Sequence, residues 1–258
     1  MQNGVVFRHP VFIMKRRGGR TNGGGMRVEV VIPAYNEENS IAQVVAAIPA
    51  RVVDRIIVVD NGSWDRTVET ARNAGAYVVS EPRRGYGSAC LRGIAEAAGA
   101  EVVVFLDGDF SDDPSELPRL LEPIREQQID LVIGSRVLGR NEPGALALHQ
   151  RLGNRLACFL IRLLFGYTFT DLGPFRAIRG TALRQLAMQD PTFGWTVEMQ
   201  VKAAIHGLRC CEVPVSYRKR IGQSKITGTV RGSLKAGAKI LYTVFRLWLK
   251  RKQVRISA

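Results

Sequence analysis

The sequence predicts an α/β fold in which a mainly parallel sheet carries helices on both faces. Two observations point there. From residue 27 onward, short runs of β-branched apolar residues alternate with helix-length segments, the pattern of a parallel sheet with crossover helices. Several of these runs also end in a polar cluster, the place where open parallel sheets bind ligands.

The first strand, 28–33, reads VEVVIP. It is dense in β-branched residues, as a buried strand requires, and is stopped by proline. A helix is expected over 37–48. The second strand, 55–60, leads into Asn61-Gly62-Ser63 and a helix over 65–74. A short strand at 77–79, a helix at 88–98 and a strand at 101–106 continue the alternation. Segment 130–136 reads as another strand. The helix expected over 149–165 carries Arg151, Arg155 and Arg162 on one stripe and Leu152, Leu156, Phe159, Leu160 and Leu163 on another. After Asp190-Pro191, a helix over 196–206 leads to a strand over 211–217.

At 258 residues, 46% of them hydrophobic, the chain is long enough for one large domain. We divide it into a basic N-terminal tail (1–25), a domain (26–230) and a basic amphipathic helix with its tail (231–258). The formal charge of +14 sits at the ends. Residues 1–25 hold five Arg or Lys and no acid, and twelve more follow Glu212 with no acid, leaving the stretch between at −3. Basic ends suit nucleic acid, an anionic membrane face or a phosphorylated substrate. No interleaved basic and aromatic face favours nucleic acid.

Residues 1–25 lack the long apolar region of a signal peptide and are expected to be disordered. No apolar run approaches the roughly 20 residues of a spanning helix. Cys90, Cys158, Cys210 and Cys211 show no zinc spacing and no scaffold density, which favours a reducing cytoplasm. From 234 to 250, Lys235, Lys239, Arg246 and Lys250 form a basic stripe beside Ile240, Leu241, Val244, Phe245, Leu247, Trp248 and Leu249. Such a helix suits a membrane interface, and equally a seat on its own domain.

The chemistry centres on Asp107-Gly108-Asp109, which follows the apolar run 102–106. Two hard carboxylates at a strand tip suit Mg²⁺ or Mn²⁺, which completes its octahedron with substrate phosphates; an isolated Asp-Gly-Asp is equally a turn. Asn36-Glu37-Glu38 and Asp60-Asn61-Gly62-Ser63 fall at neighbouring strand ends. The loop around Gly85 permits close backbone approach to a ligand.

Residues 28–38 (VEVVIPAYNEE), 58–67 (VVDNGSWDRT), 83–93 (RRGYGSACLRG) and 104–114 (VFLDGDFSDDP) resemble, in order and spacing, the signatures of family 2 glycosyltransferases of the GT-A fold. Trp64 departs from the small residue usual in the NGSxD pattern. The resemblance implies a nucleotide-sugar donor walled by Pro33, Ala34, Tyr35 and Glu37, with Asp60 on base or ribose. It also implies that Asp107 and Asp109 hold the metal and diphosphate.

Further on, GSR at 134–136, Arg151 with Gly153-Asn154, TDLGPFR at 170–176, FGWTVEM at 193–199 and EVPVSYRKRIGQSK at 212–225 resemble the dolichyl- and polyprenyl-phosphate sugar synthases. The donors this implies are UDP-glucose or GDP-mannose, and the acceptor a polyprenyl phosphate. Arg136, Arg151, Arg218, Arg220 and Lys225 become the acceptor-phosphate candidates, because arginine grips phosphate oxygens bidentately. Asp171 and Glu198 are the acidic residues expected to align acceptor or donor. His149 and His206 are expected on helix surfaces.

A phosphate nucleophile is already ionised at neutral pH, which lowers the need for a general base. The expected enzyme sits peripherally on the cytoplasmic membrane face, with a membrane-anchoring protein as a possible partner. Competing readings are a family 2 transferase with a soluble or polysaccharide acceptor, a nucleotidyltransferase, and a basic binding module without activity.

Overall fold

The computed structural model describes residues 26–222 and 230–256. The tail 1–25 and Lys225 lie outside the described residues. The chain runs β1 (Val28–Ala34), α1 (Ile41–Ala47), β2 (Arg55–Asp60), α2 (Thr67–Asn73), β3 (Tyr77–Ser80), α3 (Tyr86–Glu96) and β4 (Val102–Phe105). It continues with α4 (Leu117–Gln127), β5 (Leu131–Ser135), α5 (Leu148–Phe165), β6 (Arg176–Arg179), α6 (Gly180–Leu186), α7 (Trp195–His206), β7 (Cys210–Pro214) and α8 (Val230–Ile256).

The seven strands form one sheet in the order β3-β2-β1-β4-β6-β5-β7. All neighbouring pairs are parallel except those of β6, which runs antiparallel to β4 and β5. Register places the carboxyl ends of β1 and β2 side by side, with Ala34 opposite Asp60. Because β6 is reversed, its first residue, Arg176, pairs with Phe105 and Ile133 near the carboxyl ends of β4 and β5. The loop before β6 therefore arrives at the same edge as the loops that follow the parallel strands.

Alternation along the strands feeds two cores. Val31, Val103 and Phe105 point into a layer with α3, α5, α6, α7 and α8, while Val30, Ile32 and Val104 point to the layer of α1, α2 and α4. The four cysteines are free and buried. The α/β sheet, mainly parallel with helices on both faces, is the fold the sequence predicts.

Several elements differ from expectation. Helix α1 starts at Ile41, four residues late, because the left-handed Asn36 and the turn closed by Ser40 N–H to Glu37 carbonyl (3.1 Å) occupy the interval. Helix α4 carries prolines in its first turn and at Pro123, punctuation that hides a helix in sequence. Strand β6 is four residues bracketed by arginines, and α6 follows without a break. Helix α8 packs on α5 and α7 through buried Thr243, Val244 and Leu247. None of the described helices is long and apolar enough to cross a membrane.

Candidate active site

A pocket of about 420 Å³ opens at the carboxyl edge of β1, β2 and β4. Of the residues singled out in sequence, Pro33, Ala34, Tyr35, Glu37, Gly85, Asp107 and Asp109 all line it. The guanidinium of Arg84 lies over the Tyr35 ring at 4.2 Å and donates to the Asn61 carbonyl at 2.8 Å, so one wall is a fixed flat plate. Asp60 is not part of the lining. Its carboxylate accepts the Gly62 and Ser63 N–H groups at 3.2 and 3.0 Å and shapes the turn that turns Asn61 to the pocket.

The opposite wall comes from Thr192 and Phe193, far along the chain. It is held by backbone contact with the start of α3, where Ser88 N–H donates to the Pro191 carbonyl at 2.9 Å. A Cβ on Gly87 would lie 2.0 Å from the Asp190 carbonyl oxygen, and one on Gly85 (φ +139°) 2.2 Å from that of Pro191. Gly87→Ala should therefore push the two walls apart, lowering the urea midpoint by the equivalent of about 1–3 kcal/mol. Calorimetric affinity for a nucleoside diphosphate should drop in parallel. A variant as stable and as tight as the parent would show that the contact yields.

Asp107 and Asp109 meet in the pocket floor. Burial, and then the charge of Asp109, push the Asp107 carboxyl up to about 6, against the opposing pull of Arg220, the Tyr86 hydroxyl and Arg136. Tyr86 Oη donates to Asp107 Oδ1 at 3.0 Å, and Asp109 Oδ1 accepts the Ser111 N–H at 2.9 Å. The guanidinium of Arg220 pairs with Asp109 Oδ2.

This donor set fits a divalent cation. Two crowded carboxylates attract positive charge, and a cationic side chain already stands against one of them. Among the described residues, no group of three or more His, Cys, Asp or Glu could hold a metal. Two carboxylates with substrate phosphates completing the shell is the usual arrangement for Mg²⁺. Protons compete for Asp107 below its pKa, so metal affinity should be level above about pH 7 and fall up to tenfold per unit below about pH 6. Titration of donor-free protein with Mn²⁺, followed by electron paramagnetic resonance, measures this. A flat profile down to about pH 5 would remove Asp107 from the ligand set.

A second pocket, of about 620 Å³, lies between α5 and α8, with Arg136, Arg151, Asp171 and Tyr217 among its lining. Arg136 and Asp171 form a bidentate pair, Nε to Oδ2 at 2.8 Å and Nη2 to Oδ1 at 2.7 Å, and the Arg136 N–H also reaches Oδ2 at 2.8 Å. Burial raises the Asp171 pKa, but the charge and hydrogen bonds of Arg136 outweigh it and hold the carboxyl below its ordinary value. The reversed β6 is what delivers Asp171 to Arg136 at the end of β5.

The acceptor candidates are thus divided. Arg136 and Arg151 share the second pocket, whereas Arg220 lines the first. Arg218 lines neither; it pairs with Asp113 at 3.0 Å and stacks on Phe110 at 4.4 Å. Glu198 also lines neither. Fully buried, it accepts the Gln189 and Asp190 N–H groups and pairs with Lys202 at 2.9 Å, so it anchors the loop leading to Thr192 and Phe193 and is a positioning residue.

Sequence reasoning gave no role to Tyr86, Asn61 and Phe193, which line the first pocket, or to Tyr217, whose ring lies 5.0 Å from the Arg136 guanidinium. It also missed the work of Arg176. This fully buried side chain donates to the carbonyls of Leu172 (3.1 Å), Gly173 and Thr196 (2.9 Å), fixing the loop that carries Asp171 against α7. Each of these residues lies in a segment that carries the family resemblance: Asn61 in 58–67, Tyr86 in 83–93, Arg176 in 170–176, Phe193 in 193–199 and Tyr217 in 212–225.

Comparison with known proteins accords with this geometry. Residues 29–186 match the model of the family described as Glycosyl transferase family 2. An uncharacterised glycosyltransferase of Mycobacterium tuberculosis is 40% identical over 213 residues, covering 81% of this chain and 94% of the relative. An undecaprenyl-phosphate mannosyltransferase of Micrococcus luteus is 31% identical over 221 residues, covering 80% of this chain and 90% of the relative. Among solved structures, glucosyl-3-phosphoglycerate synthase from Mycobacterium tuberculosis, in complex with Mn²⁺, UDP-glucose and phosphoglyceric acid, superposes with a TM-score of 0.69 at 26% identity. That match covers 86% of this chain and 80% of the other. A GT-A sheet with a paired-carboxylate floor, matched along most of its length by glycosyltransferases, makes this chain a member of glycosyl transferase family 2.

Proposed function

We propose that the enzyme transfers a hexose, with inversion, from UDP-glucose or GDP-mannose to a polyprenyl phosphate. The observation that carries this reading is the second pocket. Its polar end is the Arg136–Asp171 pair with Arg151 nearby, and its walls include Leu146, Leu148, Leu152 and Ile240. A cationic end with apolar walls suits a phosphate that carries a hydrocarbon chain.

Arg136 lies near enough to Asp107 to lower its pKa, so a phosphate held by Arg136 would stand on the side of the pocket that holds the paired carboxylates. A phosphate oxygen attacks the anomeric carbon as its bond to the nucleoside diphosphate breaks. The nucleophile arrives ionised, so no residue need take its proton. Arg136 orients it, held in one rotamer by Asp171, and Arg151 adds charge. The Tyr35–Arg84 plate and Asn61 receive the nucleoside, and Arg220 serves the diphosphate side. A Mg²⁺ or Mn²⁺ held by Asp107 and Asp109 would supply positive charge to the departing diphosphate. The reading also puts the enzyme peripherally on the cytoplasmic membrane face.

A soluble phosphorylated acceptor is the second reading, supported by the phosphoglyceric acid in the structural neighbour. Purified full-length protein with Mn²⁺, each donor in turn, and either undecaprenyl phosphate or 3-phosphoglycerate separates the two. Nucleoside diphosphate release is expected only with the lipid. Release only with phosphoglycerate would replace the lipid reading, and release with neither acceptor would end both.

A further inference from the structure

Helix α5 is apolar on two opposite faces. One face, with Ala157, Cys158 and Ile161, is buried in the domain core. The other, Leu148, Leu152, Leu156, Phe159 and Leu163, recurs at helical spacing and is 46–73% exposed. It runs for about 22 Å at 1.5 Å per residue. A soluble helix keeps such a face polar, and an exposed apolar stripe of this length marks an interaction surface.

The charges around the stripe identify what it meets. Arg151, Arg155 and Arg162 each immediately precede a stripe residue and so line one flank. On α8, which packs against α5, Tyr242, Phe245 and Leu249 are exposed at spacings of three and four, with Arg246 and Lys250 directly after two of them. Helices α5 and α8 contain no Asp or Glu. A second copy of the chain meeting this face would set rows of cations against each other, which costs energy. An anionic lipid surface satisfies both features, since it takes the apolar side chains into its acyl boundary and the arginines and lysines at its headgroups.

We infer that the exposed faces of α5 and α8 form a docking surface for an anionic bilayer, with α5 as the principal inserted helix. Leu148, Leu152, Arg151 and Arg155 belong both to this helix and to the second pocket, and Ile240 walls that pocket from α8. The pocket mouth therefore opens beside the bilayer. The lipid-acceptor reading explains why it should, but the docking itself does not depend on that reading.

The test is sedimentation of the full chain with vesicles of phosphatidylcholine alone or mixed with phosphatidylglycerol, both free of any polyprenyl phosphate. The protein is expected to pellet with the anionic vesicles and at least tenfold less with the neutral ones. Leu156→Glu/Phe159→Glu, at two exposed positions outside both pockets, should lower anionic pelleting at least tenfold. Nucleoside diphosphate affinity should not change, which shows that the fold is kept. Because the substitutions lie on α5, residual binding by the basic tails is read separately. Wild-type protein left in the supernatant with anionic vesicles would overturn the inference. So would a dimer that the double variant dissolves while vesicle binding persists, since a second copy would then cover the face. Failure of the lipid-acceptor reading would appear as absent transfer with vesicle binding intact.

Discussion

Asp109→Asn should abolish metal-dependent sugar transfer while the protein stays folded. The amide keeps the oxygen that accepts the Ser111 N–H and the volume of a side chain that is only 3% exposed, so the loop has no cause to move. The negative charge is lost. With it goes half of the paired-carboxylate floor, and on the proposed mechanism the leaving diphosphate would lose the cation that this floor holds. Removing one electrostatic stabiliser of a transition state typically costs 10²- to 10³-fold, about 3–4 kcal/mol. Turnover against Mn²⁺ concentration should fall by at least about 10²-fold, with the thermal midpoint within a few degrees of the parent. Transfer at the parent rate in the same Mn²⁺ would remove the metal role from Asp109.

The second large effect is expected at Arg136. Asp171 is 1% exposed, and Arg136→Met would leave its carboxylate buried with only backbone donors. Breaking a buried pair from one side costs about 3–5 kcal/mol, whereas replacing both partners by apolar residues is often neutral. Arg136→Met should therefore destabilise strongly, and Arg136→Met/Asp171→Leu should recover most of the urea midpoint. The double variant should still have a KM for the phosphorylated acceptor raised at least tenfold, with donor affinity unchanged. Recovery of acceptor use together with stability would make the pair purely structural.

The parts of the site legible in sequence are those where one segment holds both the strand and the polar residues at its tip. Residues 28–38 and 104–114 each give a strand and its polar end in one reading, and the pocket is lined by Pro33, Ala34, Tyr35 and Glu37 from the first and Asp107, Gly108 and Asp109 from the second. What stayed hidden depends on tertiary closure. Strand β6 has too few residues and too many arginines to show period-two alternation, yet its reversal brings Asp171 to Arg136. Glu198 reads in sequence as an aligning acid, and Arg176 carries no role there, because nothing local shows that backbone groups of distant loops absorb them. Arg218 and Arg220, two residues apart, pair with Asp113 and Asp109 respectively, a difference that no spacing argument resolves.

The contact of Gly85 and Gly87 with residues 190–191 also bears on how the molecule folds. The donor pocket takes walls from Pro33 through Arg220, and its two sides join only where the start of α3 meets a loop roughly one hundred positions later. Closing so long a loop is a late, nonlocal event in folding. A truncated or partly folded chain therefore lacks this pocket, proposed as the nucleotide site, however well its first four strands assemble. Donor binding then reports on the completed domain, and ligand at a hundred times its Kd adds about 2.7 kcal/mol to the free energy of unfolding.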